Sequence, residues 1–205
     1  MMSPSDRQPI VVADAGPLIR LAAAGLLDGL RHLNRRIVLV DRVEDEVCGD
    51  LSKPYAEEIR TWTQRMGDAV LRVETLVGIG VSTLRARTRT PEEDALLKSA
   101  LRDSGEQALR EFVARWRPSE TSSAVVLFED RKVATLFVDV DFPITLMTTR
   151  AFARTIAALG VNIDAAAALE AIADRYDLKP ALLGEIDPDT PIDQRVLPQL
   201  MEGPR

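Results

Sequence analysis

Cysteine and histidine are almost absent from this chain: Cys48 and His32 are the only residues of their types. A lone cysteine excludes an intrachain disulfide and a cysteine-based zinc site. A lone histidine excludes a histidine-rich metal centre, and His32 lies in the polar stretch RHLNRR, where it reads as a surface residue. No apolar run approaches the roughly 20 residues that a membrane helix needs. Met1 to Pro9 is polar and carries no apolar signal region. A reducing cytoplasm, with no membrane association, is the expected setting. There is no glycine-rich phosphate loop and no Ser/His/Asp arrangement. Positive charge is also in deficit: 26 Lys and Arg against 32 Asp and Glu give a net charge of −6. That balance argues against a broad non-specific nucleic-acid surface. It leaves room for a nuclease, because an acidic metal site contributes negative charge of its own.

What is present suits one large soluble domain, or a domain with an appendage. The chain has 205 residues, 46% hydrophobic and 28% charged. Short, unbroken apolar runs alternate with amphipathic stretches. IVVA (Ile10 to Ala13), IVLV (Ile37 to Val40), AVVLF (Ala124 to Phe128) and ITLM (Ile144 to Met147) read as strands buried on both faces. Ala69 to Leu76 alternates as a half-exposed strand would. Helices are expected at Pro17 to Leu30 in two pieces, Asp41 to Asp50, Pro54 to Met66, from Thr90 onward, and at Ser104 to Arg117 with Ser104 as cap. Further helices are expected at Lys132 to Phe137, Ala151 to Leu159, Asp164 to Tyr176 and from Pro180. Gly78 to Arg89, with two glycines and then Arg85, Arg87 and Arg89, reads as a solvated basic loop or as an edge strand that meets RNA phosphates. The expected architecture is a mainly parallel sheet with helices on both faces.

Acids recur where such a sheet puts its functional edge. Asp14 ends the first strand, ahead of Gly16 and Pro17, and functional groups sit outside the carboxyl ends of strands. Its alternative role is to cap the following helix. Glu129 and Asp130 end the AVVLF strand. Glu44, Asp45 and Glu46, then Asp103 and Glu106, fall at helix starts, where the helix dipole also favours acids. Neighbours on a helix are about 100° apart, so the 44–46 acids cannot all face one way. Four acidic positions can therefore converge on one cleft. Packed carboxylates repel and raise one another's pKa unless a hard cation neutralises them. All-oxygen ligation selects Mg²⁺ or Mn²⁺. Such an ion can orient a phosphodiester and activate water.

The motifs VVADAGPLI, VEDEV, DSGEQAL and VVLFEDRKVA resemble, in that order, the signature stretches of the PIN-domain family, most closely its VapC-type ribonucleases. The resemblance runs from Ile10 to about Gly160 and includes a closing strand and helix, ITLMTTRAFARTIAALG. It implies a three-layer α/β/α fold with four to five strands. A nuclease domain at 10–160 would hold an inserted segment at about 51–102, followed by a helical extension at 161–186 and a flexible tail at 187–205. It implies a Mg²⁺- or Mn²⁺-dependent endoribonuclease cutting single-stranded or loop RNA. By register Asp14, Glu46, Glu106 and Asp130 are the catalytic acids, with Asp14, Glu106 and Asp130 on the metal. Glu44, Asp103 and Glu129 are secondary candidates. So are Thr148 and Thr149, which orient a water or phosphate or else cap a helix. Arg85, Arg87, Arg89 and Arg150 are the candidate RNA contacts. The family also implies a toxin held by a small antitoxin protein, often as a homodimer. Glu129 in place of an aspartate and the long insert motivate the alternative of an inactive scaffold that binds or regulates. A DNA-acting nuclease of the same chemistry is a further alternative.

Overall fold

The computed structural model describes residues 9–87, 90–116, 123–137, 139–176 and 187–196. A six-stranded sheet runs through the centre in the order β3-β2-β1-β4-β5-β6. The strands are β1 (Ile10–Ala13), β2 (Arg36–Val40), β3 (Val70–Val73), β4 (Ala124–Phe128), β5 (Ile144–Thr148) and β6 (Ile192–Asp193). The first five are parallel, and only β6 runs antiparallel, along β5. Helices α1 (Ala15–Ala23), α2 (Asp41–Cys48), α3 (Ala56–Met66), α4 (Leu76–Ala86), α5 (Pro91–Leu101), α6 (Ser104–Arg115), α7 (Arg131–Thr135), α8 (Thr149–Ala158) and α9 (Ala165–Tyr176) complete a three-layer α/β/α fold. One group, α1, α3, α8 and α9, is linked by mutual contacts; α4, α5 and α6 form another, and α2 touches both.

The strand sequences explain the order. Every residue of β1 and β4 is buried, which suits central strands covered by helices on both sides. Fully burying a Val or Ile side chain contributes about 1.5–3 kcal/mol. Edge strand β3 is only partly covered, with Val70 buried and Arg72 exposed. The chain leaves β1 toward β2 and β3, then returns to β4 on the other side. A crevice opens at such a reversal, beyond the carboxyl ends of the strands. Ala13 pairs with Leu127, and Asp14 N–H donates to Leu127 O at 3.2 Å, so the segments after β1 and β4 emerge side by side.

Three expectations are corrected. Gly78 to Arg89 is neither loop nor edge strand: most of it is α4. Thr75 starts that helix by accepting from Gly78 N–H at 3.0 Å. The Glu111 carboxylate accepts from Leu76 and Val77 N–H, at 2.9 and 3.2 Å, while Asp41 accepts from Thr75 N–H and Oγ1. These carboxylates come from distant positions, and they satisfy donors that two glycines alone would leave loose. The sheet has six strands rather than four to five. The sixth comes from the stretch expected as a flexible tail, where Ile192 is buried and pairs with Leu146. Ser104 does not cap α6: Asp103 holds the cap position with a left-handed φ of 54°, and Ser104 Oγ donates to Leu101 O. The stretch 51–102 supplies α3, β3, α4 and α5, and so extends the sheet as well as adding helices. The helix expected from Pro180, and residues 197–205, lie outside the described residues.

Gly78 and Gly80 on α4 make a matched test. A Cβ on Gly78 would collide with the Asp41 carboxylate, whereas one on Gly80 meets nothing within 4 Å. Gly78→Ala should lower stability by about 1–3 kcal/mol through overpacking, and Gly80→Ala should raise it by roughly 0.5–1 kcal/mol through helix propensity. Urea unfolding of the two variants reads the opposite signs.

Candidate functional site

An open cleft of about 470 Å³ lies at the carboxyl edge of the sheet. It is lined by Asp14, Glu46, Asp103, Glu106 and Asp130, and on its basic side by Arg42, Lys53 and Arg85. The parallel sheet explains the gathering. β1, β2 and β4 all end at this edge, delivering Asp14, helix α2 with Glu46, and the Glu129-Asp130 turn. Helix α6 brings Glu106 in its first turn. Gly105 lets α6 come close: a Cβ there would sit 3.3 Å from Glu46 Oε2 and 4.0 Å from Val43.

Asp14 occupies the N-cap position of α1, yet its side chain makes no capping hydrogen bond. The carboxylate is left to the cleft. Its pKa is raised from 3.8 to about 6: burial is the largest cause, a backbone hydrogen bond with Ala15 opposes it, and the charges of Glu46, Glu106 and Asp130 add to it. Glu106 is also shifted upward, by burial first; Lys132 opposes this, and Asp103 and Asp130 add to it. Asp130 accepts from Lys132 N–H at 2.9 Å and so starts α7.

The four acids therefore share one cleft and act on one another's charge. They do not share one point: among the described residues, no three acidic, imidazole or thiol groups close to metal-holding distance. Glu46 and Asp130 are exposed and Glu106 is half-buried, so their side chains have room to turn inward. The donor set is all oxygen, and the charges acting on Asp14 are all negative. Both features fit a hard divalent cation.

The other sequence candidates separate from this group. Glu44 faces away, accepting from Arg72 Nε at 2.9 Å. Glu129 is turned behind the cleft, where Thr149 Oγ1 and N–H donate to Oε1 and Arg20 Nη1 lies 3.5 Å from Oε2. Burial raises its pKa, Arg20 and the Thr149 N–H lower it, and the charge of Asp14 raises it again. Glu129 thus ties α1 to the start of α8, and Gly16 leaves room for its Cβ. Thr148 caps α8 by accepting from Ala151 N–H at 3.1 Å, and it donates to Pro188 O. Thr149 is committed to Glu129. Arg150 is held by Asp189, Nε to Oδ1 at 2.8 Å and Nη2 to Oδ2 at 3.1 Å. Arg85 reaches the cleft, with Nη1 at 2.5 Å from Asp45 Oδ2. Arg87 is exposed beyond the end of α4, and Arg89 lies outside the described residues.

Sequence reasoning missed the partners of Asp45. Arg42 is buried, with Nε donating to Ser104 Oγ at 3.1 Å and Nη1 bonded to Asp45 Oδ2. Burial pushes the Asp45 pKa up, but Arg42 and Arg85 outweigh that and hold it below its ordinary value. The Arg42–Asp45 spacing of three was visible as a helix pair; the direction in which it points was not. Lys53 Nζ donates to Glu46 O at 3.2 Å at the cleft rim. Comparison with protein-family models, curated proteins and solved structures gives no match to this chain.

The raised pKa of Asp14 contributes to the pH dependence of the metal-free fold. An acid harder to ionise when folded costs nothing below the unfolded pKa near 4. It destabilises increasingly as pH rises toward about 6 and by a constant amount above that. Asp14→Asn should therefore stabilise the metal-free protein at pH 7 by about 3 kcal/mol, with the gain vanishing near pH 4. Melting curves in EDTA at the two pH values measure it.

Proposed function

We propose that this protein is a Mg²⁺- or Mn²⁺-dependent endoribonuclease of the PIN type, acting in the cytoplasm on single-stranded or loop RNA. The observation that carries the reading is the cleft in which Glu46, Glu106 and Asp130 gather around the half-buried Asp14, whose pKa is raised by burial first and by their charges next. Asp14, Glu106 and Asp130 are the residues to hold the cation, and Glu46 completes the acidic wall. When bound, such a cation supplies Lewis-acid polarisation of a phosphodiester and lowers the pKa of water. Asp14 is the anchor, fixed by β1 and half-buried. The exposed cations Lys53 and Arg85 stand at the rim, where an RNA backbone would enter. Loops and splayed single strands can pass such an open cleft, whereas an A-form duplex buries its bases.

The resemblance extends this to the toxin of a toxin–antitoxin pair, inhibited by a small antitoxin protein and able to form a homodimer. No described helix is long and apolar enough to cross a membrane, in keeping with an RNA-acting protein. A second reading, an inactive scaffold with a binding role, is favoured by one observation: among the described residues, no three acids close on a single point.

The two readings separate on metal binding. Mn²⁺ should raise the melting temperature of the wild type at pH 7, because a ligand that binds only the folded state stabilises it. It should leave Asp14→Asn nearly unmoved. RNA cleavage should require Mg²⁺ or Mn²⁺, stop in EDTA and vanish in a folded Asp14→Asn. An unshifted melting curve with intact RNA identifies the scaffold instead, and parallel RNA and DNA substrates identify the polymer.

A further inference from the structure

Arg42 is a buried guanidinium in a cleft otherwise dominated by acids, and nothing above gives it a task. Its side chain is 7% exposed, and it lines the cleft. Nε is committed to Ser104 Oγ and Nη1 to Asp45. Nη2 makes no hydrogen bond among the described residues. The buried side-chain polar atoms there that lack a partner are Trp62 Nε1 and Gln194 Oε1. Nη2 is therefore reached by solvent, and the cleft is the cavity that this side chain lines. The guanidinium plane is fixed on two edges, by α6 and by its own helix, with the third edge left open.

The charges on this wall favour an anion. Arg42 and Arg85 meet at the same Asp45 oxygen, so this carboxylate faces two guanidiniums. Asp45 and Ser104 offset the cost of burying Arg42 without using its last donors. A fixed planar fork with free N–H groups suits a phosphate oxygen.

We propose that Arg42 is a substrate-binding residue of the cleft, donating from Nη2 to a non-bridging oxygen of the phosphodiester held against the acids. This rests on the nuclease reading and adds the group that grips the phosphate. Ser104 and Asp45 are its positioning residues. Ser104 is the first residue of the helix that carries Glu106, so one side chain sets the phosphate grip in register with the acidic wall.

The test is equilibrium binding of a fluorescent single-stranded RNA, with Ca²⁺ as the hard cation, over a series of salt concentrations. Arg42→Met should weaken binding about tenfold or more, as expected for a lost charge-assisted hydrogen bond. It should also make the slope of log K against log salt shallower by about 0.7, one phosphate contact on a single strand. A merely structural role would not change that slope. Wild-type affinity and slope in a folded Arg42→Met overturn the proposal and leave the nuclease reading standing. A wild type that binds no RNA overturns both. If Arg42→Met does not fold, Arg42→Lys decides. An ammonium cannot span Ser104, Asp45 and a phosphate together, so cleavage should fall at least about tenfold with the slope retained. Unchanged cleavage in Arg42→Lys overturns the proposal.

Discussion

Mutual repulsion of carboxylates at one edge of a parallel sheet is the constraint on which this site depends. Asp14 cannot withdraw, because β1 is buried along its whole length and Asp14 N–H is hydrogen-bonded to Leu127 O of β4. Glu46 and Glu106 cannot separate far, because Gly105 lets α2 and α6 close together. The backbone therefore fixes a concentration of negative charge that the side chains, left alone, would disperse. The acids answer by spreading within the cleft and by a raised pKa at Asp14. A site that is costly when empty of cations is one in which a cation's binding energy is largely the relief of that cost.

The neighbouring basic wall follows a different logic. Asp45 is one residue from Glu46 but is neutralised within the protein by Arg42 and Arg85. Two adjacent acids on one helix thus have opposite fates, since a helix turns about 100° between them. Arg85 belongs to α4, whose start is held by Asp41 and Glu111, so α4 is bonded at both ends to elements that build the cleft. This helix is in this sense a wall of the site.

Much of the architecture was legible in the sequence. IVVA, AVVLF and ITLM are too apolar for half-exposed strands, and buried parallel strands put whatever follows them at one edge. That reasoning brings Asp14 and Asp130 together and, with the start of α6, Glu106; Glu46 was expected at a helix start but enters the cleft from the second turn of α2. It failed where long-range hydrogen bonds override local signals. GIGVSTLRARTR looks like a loop because two glycines weaken a helix; Asp41 and Glu111, dozens of residues away, restore it. The segment around Ile192 looks like a tail because prolines and acids surround a single buried strand pair. Glu129 could not be told from Asp130 because both sit at the same strand end. Only the placement of Arg20 and Thr149 draws one backward and leaves the other in the cleft.

That strand pair has a consequence for how the chain behaves in company. A parallel sheet ending at β5 would present a bare ladder of amide and carbonyl groups, a template for any extended chain that drifted past. Ile192 and Asp193 cover that ladder at Leu146 and Thr145, and Asp189 fastens the segment to Arg150 and Arg154 on α8. Two residues of antiparallel pairing, pinned by one carboxylate, close off on this side the route to edge-to-edge polymerisation.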